Sequence, residues 1–143
     1  MYFRALRTLP GLEIIFGHFL TNVVSMPIAG CEPGNQKYVN VIKTEEKGSD
    51  VNLAKHLLFD GFKGNYQAAA VITNDSDLLE PIRIIRSEMN VHIGILNPHT
   101  APSRALIKYA SFVKQIRRGV LSVSQFPPQL RDEKGVFHKP MTW

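Results

Sequence analysis

From Gln67 to Thr73 the chain reads QAAAVIT, a run without charge, proline or glycine, and Asn74-Asp75-Ser76-Asp77 follows at once. Small and branched apolar residues in an unbroken run are what a central parallel strand covered on both faces requires. An acidic turn directly behind such a strand sets carboxylates at its carboxyl end, where open α/β sheets hold their ligands. Few folds accommodate both features.

The flanking segments agree with a layered α/β sheet. Apolar residues at helical spacing predict a helix over residues 1–9, stopped by Pro10-Gly11. LEIIFGHFL reads as a strand, and residues 22–37, with Pro27, Gly30, Pro33 and Gly34, read as a loop. YVNVIKT is a short strand ending in Glu45-Glu46-Lys47. Gly48-Ser49-Asp50 then starts a helix whose buried face carries Val51, Ala54, Leu57, Leu58 and Phe62. A helix through LLEPIRIIRSEM follows the acidic turn, with Pro81 early enough to be tolerated. VHIGIL and SFVKQI read as further strands, PSRALIKYA and RRGVLSVSQ as short helices. From Phe126 the chain is Pro-rich and polar, and is expected to wrap the surface without regular structure. The expected organisation is a domain over residues 1–125 and an extended tail over 126–143. Strands alternating with helices imply a parallel sheet.

At 143 residues, with 44% hydrophobic and 20% charged residues, the chain suits one globular domain and excludes wholesale disorder. Seventeen Lys and Arg against twelve Asp and Glu give a net charge of +5, which favours polyanionic partners. Cys31 is the single cysteine, so no internal disulfide forms and no thiolate zinc site is spaced out. Arg4, Arg7 and Glu13 interrupt the apolar start, against a signal peptide or a membrane span. The expected compartment is the cytoplasm.

Asp75 and Asp77, two positions apart on a strand-to-helix turn, can both face the carboxyl edge of the sheet. Asp50 opens the helix after the preceding strand and is expected at that same edge. Hard cations such as Mg²⁺ take oxygen ligands, and a phosphodiester supplies more of them. Each residue also has a structural explanation. Asp75 or Ser76 caps a helix, and Asp50 complements a helix dipole. Lys43 and Lys47 stand beside the first turn, where they can contact phosphate. Arg83 and Arg86 can line the same path or form a solvated helix face. Ser111-Phe112-Val113-Lys114 has the Ser-x-x-Lys spacing of some acyl-transfer enzymes, but lies on a strand and lacks the accompanying motifs.

Lys47-Gly48-Ser49-Asp50 and Asn74-Asp75-Ser76-Asp77-Leu78, separated by the buried strand, resemble the paired acidic turns of the NYN domain family, within the PIN-like nucleases. Gly94-Ile95-Leu96-Asn97-Pro98-His99 fits that family's following strand and loop. The likeness spans about residues 1–125. It implies a three-layer α/β fold whose central, mostly parallel sheet is flanked by helices. It also implies an RNA-cutting activity with Mg²⁺ or Mn²⁺ as cofactor, for which Asp50, Asp75 and Asp77 are both metal ligands and catalytic residues. RNA, single-stranded or structured, is the implied partner. No membrane is, and self-association is left open. The family's opening strand ends in an Asp-x-x-Asn motif, and this chain has no Asp before Asp50. The resemblance therefore implies an N-terminally incomplete domain lacking its first strand.

Two rival functions remain open at this point. One is a non-catalytic RNA-binding or protein-interaction module with an incomplete acidic site. The other is a phosphatase or phospho-acceptor using an Asp at a sheet edge.

Overall fold

The computed structural model describes residues 1–30, 34 and 37–142. In chain order the elements are α1 (Tyr2–Leu6), β1 (His18–Pro27), β2 (Tyr38–Lys47), α2 (Ser49–Phe62) and β3 (Ala68–Ile72). A 3₁₀ turn (Ser76–Leu78) leads into α3 (Leu79–Glu88), β4 (His92–Asn97), α4 (Arg104–Ile107) and β5 (Phe112–Gln115). Then come α5 (Arg118–Val123), β6 (Gln129–Asp132) and β7 (Gly135–His138). Contacts divide the chain into two compact units. One is Ile15–His56; the other joins Met1–Ile14 to the chain from Leu57 onward, so the division falls within α2.

The fold class is mixed α/β, built on a three-stranded parallel sheet with flanking helices. Its order is β3-β4-β5, with Ile72 beside Leu96 and Leu96 beside Lys114. The core gathers on the middle strand: Ile93 and Ile95 of β4 are fully buried, as are Ile82 and Ile85 of α3 and Leu106 of α4. Leu78, Ile82 and Ile85 recur at helical spacing, so one apolar stripe covers the sheet. Gly94 belongs to this packing, because the Phe112 ring of β5 occupies the space its side chain would need.

Four sequence expectations are corrected within this unit and its neighbour. QAAAVIT is parallel but not central: among the described strands β3 pairs only with β4, and Ile72 keeps 63% of its surface exposed. The continuous apolar run marked a strand correctly, but the strand with neighbours on both sides is VHIGIL. The strand expected at LEIIFGHFL begins only at His18, and the loop expected over 22–37 is strand as far as Pro27. Pro27 is tolerated there because β1 pairs only with β2 among the described strands and is an edge strand. Cys31 and Pro33 of that expected loop lie outside the described residues. Finally, the chain after Phe126 contains the antiparallel β6–β7 hairpin, with Leu130 opposite a buried Phe137.

In the Ile15–His56 unit, β1 and β2 form a long antiparallel hairpin running from His18 opposite Lys47 to Pro27 opposite Tyr38. Thr21 and Thr44 meet across it through their hydroxyls at 3.0 Å. Two strands cannot bury both of their faces, and Ile42 stays 77% exposed. β2 therefore belongs to a separate antiparallel sheet. This corrects the expectation that Asp50 follows a strand of the parallel sheet.

Candidate functional site

The carboxyl edge of the parallel sheet is formed where β3, β4 and β5 end at Ile72, Asn97 and Gln115. Beyond β3 the chain turns sharply. The Asp75 N–H donates to the Thr73 hydroxyl at 3.0 Å, and an Asp75 carboxylate oxygen accepts the Asp77 N–H at 3.0 Å. Asp75 is thus the N-cap of the 3₁₀ turn. That is the structural explanation anticipated for it, and it engages one of two oxygens. Asp77, in the first turn, is exposed, and its carboxylate has no hydrogen bond or ion pair among the described residues.

Three carboxamides, one from behind or within each strand end, fix the facing loop of residues 98–103. Asn74 donates its Nδ2 to the Ala101 carbonyl at 3.2 Å and accepts the Ser103 N–H at 2.6 Å. Asn97, only 1% exposed, donates to the His99 carbonyl and accepts the His99 N–H, both at 2.9 Å. Gln115 donates to the same His99 carbonyl at 3.2 Å. Asn97, buried with both ends of its amide satisfied, is the stiff centre of this frame. Asn74 and Asn97 stood within quoted motifs, but none of the three was among the candidate site residues. The one available signal was an Asn closing an apolar strand immediately before Pro98.

Asp50 lies on the other unit, in the first turn of α2, and is exposed. The end of that helix is secured by Glu46, whose carboxylate accepts from the Ser49 hydroxyl at 2.7 Å and from its N–H at 3.2 Å. Gly17 packs against this junction, where a side chain would meet the Glu46 carboxylate, the Lys47 carbonyl and the Ser49 hydroxyl. Among the described residues no three His, Cys, Asp or Glu side chains gather into a metal-holding group.

Lys43 and Lys47 share one face of β2 with Glu45, and both bind it, at 2.7 and 3.4 Å. Hydrogen bonding from Lys43 and then Lys47 holds the Glu45 carboxyl below its ordinary range. Arg83 is paired with Glu80 at 2.8 Å, and Arg86 donates to the Val91 carbonyl. Ser111 and Lys114 do not form a catalytic pair in the fold. The Ser111 hydroxyl accepts the Ile93 N–H at 3.1 Å, tying β5 to β4.

No helix among the described residues is long and apolar enough to cross a membrane. No family model matches the chain. A relative, the 6-hydroxy-3-succinoylpyridine 3-monooxygenase of Pseudomonas putida, is 32% identical over an alignment covering 99% of this chain and 49% of its own length. The chain therefore spans about half the length of that relative. A crystal structure of a protein of unknown function from Vibrio parahaemolyticus superposes with a TM-score of 0.45 at 15% identity, over 50% of this chain and 43% of that one.

Proposed function

We propose that the carboxyl edge of the parallel sheet is a divalent-metal site for RNA phosphodiester hydrolysis, with Asp75 and Asp77 as its protein ligands. The observation that carries this reading is the acidic turn itself: Asp75 and Asp77 follow β3 directly, and the Asp77 carboxylate is exposed and unengaged. The resemblance of the two acidic turns to those of NYN domains supports it, and with it a PIN-like arrangement of the layers.

The donor set suits Mg²⁺ or Mn²⁺, which bind through one or two carboxylates and take the remaining oxygens from water and substrate phosphate. Bound there, either ion would lower the pKa of a coordinated water and offset charge on the phosphodiester. The chain's own residues supply placement. Asp75, which accepts the Asp77 N–H, holds the backbone of the turn that carries both carboxylates. Asn74 and Asn97 hold the opposite wall still. On the Ile15–His56 unit, Lys43 and Lys47 are proposed separately as RNA phosphate contacts, in competition with Glu45.

Incubation of the 143-residue chain with labelled single-stranded and hairpin RNA tests the reading. Cleavage is expected with Mg²⁺ or Mn²⁺, none with a chelator, and a loss of orders of magnitude in Asp77→Asn. Absence of metal-dependent cleavage, or equal rates with and without the substitution, overturns it.

A second reading rests on the alignment across nearly the whole chain. In it the chain is part of a monooxygenase acting on a hydroxylated pyridine, as the name of the P. putida protein describes. Turnover of 6-hydroxy-3-succinoylpyridine with dioxygen and a two-electron reductant, unaffected by Asp77→Asn, would favour this reading over hydrolysis.

A further inference from the structure

α1 and the segment around the β6–β7 hairpin line an open cavity of about 160 Å³. Ala5, Phe126, Leu130 and Phe137 give it apolar walls, and His138 and Lys139 also line it. Among the described residues no acidic side chain contributes to the lining. An apolar cavity of roughly 150 Å³ is the size that accepts a single benzene ring.

The walls are fixed in advance. Arg4 of α1 donates two hydrogen bonds of 2.7 Å to Asp132 and lies 4.2 Å from the centre of the Phe137 ring. Leu130 and Phe137 face each other in the hairpin register, so both point to one side of the ribbon. Asp132 pairs with Arg4, whereas Lys139 and His138 are among the residues that line the cavity. Neither forms an ion pair among the described residues. A neutral ring would satisfy the walls alone, whereas an acid group on that ring would also meet the charge.

We infer that this cavity binds a small aromatic carboxylate, one ring bearing one acid group. The site uses none of the residues of the acidic turn and stands whichever reading of that turn holds. Preformed walls favour such binding because little side-chain freedom remains to be lost.

The test is an NMR titration of the 143-residue chain with benzoate and, separately, with benzyl alcohol. Both ligands are expected to shift the methyl signals of Ala5 and Leu130, with benzoate binding roughly fivefold more tightly. Lys139→Gln, at an exposed side chain, removes that preference while benzyl alcohol binding is unchanged. Ala5→Leu fills the cavity and abolishes binding of both, and Lys139→Gln carries the test if that variant does not fold. No saturation by either ligand, or shifts confined to residues outside the cavity, overturns the site. Equal affinity for the two ligands, or no effect of Lys139→Gln, overturns its assignment to a carboxylate.

Discussion

Arg4 in the first helix grips Asp132 in the C-terminal hairpin through two hydrogen bonds of 2.7 Å, across 128 positions of sequence. The guanidinium holds the Asp132 carboxyl well down, from an ordinary 3.8 to about 2, aided by the Lys134 N–H. A carboxyl whose folded pKa is depressed stabilises the fold above its unfolded pKa and ceases to do so as pH falls through the folded one. Thermal unfolding followed from pH 5 to pH 2 should therefore show wild type losing an advantage over Asp132→Asn that is full near pH 5. Parallel curves for the two proteins across that window would show that the pair adds nothing.

Asp75 has two separable roles, cap and proposed ligand. Asn caps as well as Asp does, whereas Ala does not. Asp75→Asn should keep wild-type stability and lose Mn²⁺ binding, measured by calorimetry at millimolar metal. Asp75→Ala should lose both, with a stability cost of about 1 kcal/mol in urea unfolding. Retained Mn²⁺ binding in Asp75→Asn would reduce the residue to a cap.

Gly94 and Phe112 should behave as a coupled pair, since the ring lies where a Cβ on residue 94 would go. Gly94→Ala alone should destabilise by roughly 1–3 kcal/mol through overpacking. In a Phe112→Ala background the same change should cost much less, giving a favourable coupling in a double-mutant cycle. Additive losses would mean the backbone shifts to make room.

Glu45 occupies both lysines proposed to meet RNA. Exposed ion pairs contribute little to stability, so Glu45→Gln should leave the unfolding midpoint nearly unchanged. It should tighten RNA binding at low salt by releasing two cations, and the gain should vanish near ~1 M salt, where the screening length is about 3 Å. Unchanged affinity at low salt would remove Lys43 and Lys47 from the RNA path.

The sequence was most legible where local pattern and tertiary environment coincide. VHIGIL is apolar because β4 has neighbours on both sides, and the LLEPIRIIRSEM helix carries its buried residues at the expected spacing. The acidic turn stood out because charge directly after an apolar strand is rare and local. Strand order was harder. QAAAVIT has the composition of a central strand yet lies at an edge, because composition records that a strand is apolar and not how many partners it has. The β6–β7 hairpin was hidden by its short strands and polar residues, and its anchor, Arg4, stands at the far end of the chain. The carboxamide frame around residues 98–103 was hidden for a related reason. An Asn identifies itself as structural only through the backbone groups it meets, and those lie up to 29 positions away.

The edge position of β3 also sets an order of opening. β4 is hydrogen-bonded on both sides, whereas β3 and β5 each have a single neighbour among the described strands. Amide groups on the outer side of β3 need no breakage of the sheet to meet solvent, while those of β4 are released only when a ladder and the Ile82–Ile85 stripe come apart. Deuterium should thus enter the outward-facing amides of Ala68–Ile72 early and Ile93–Ile95 last. The acidic turn hangs from one of these outer strands, and Asn74 beside Asp75 ties it to Ala101 and Ser103. Any shift of the two carboxylates with β3 must therefore break those two hydrogen bonds or carry the 98–103 loop along.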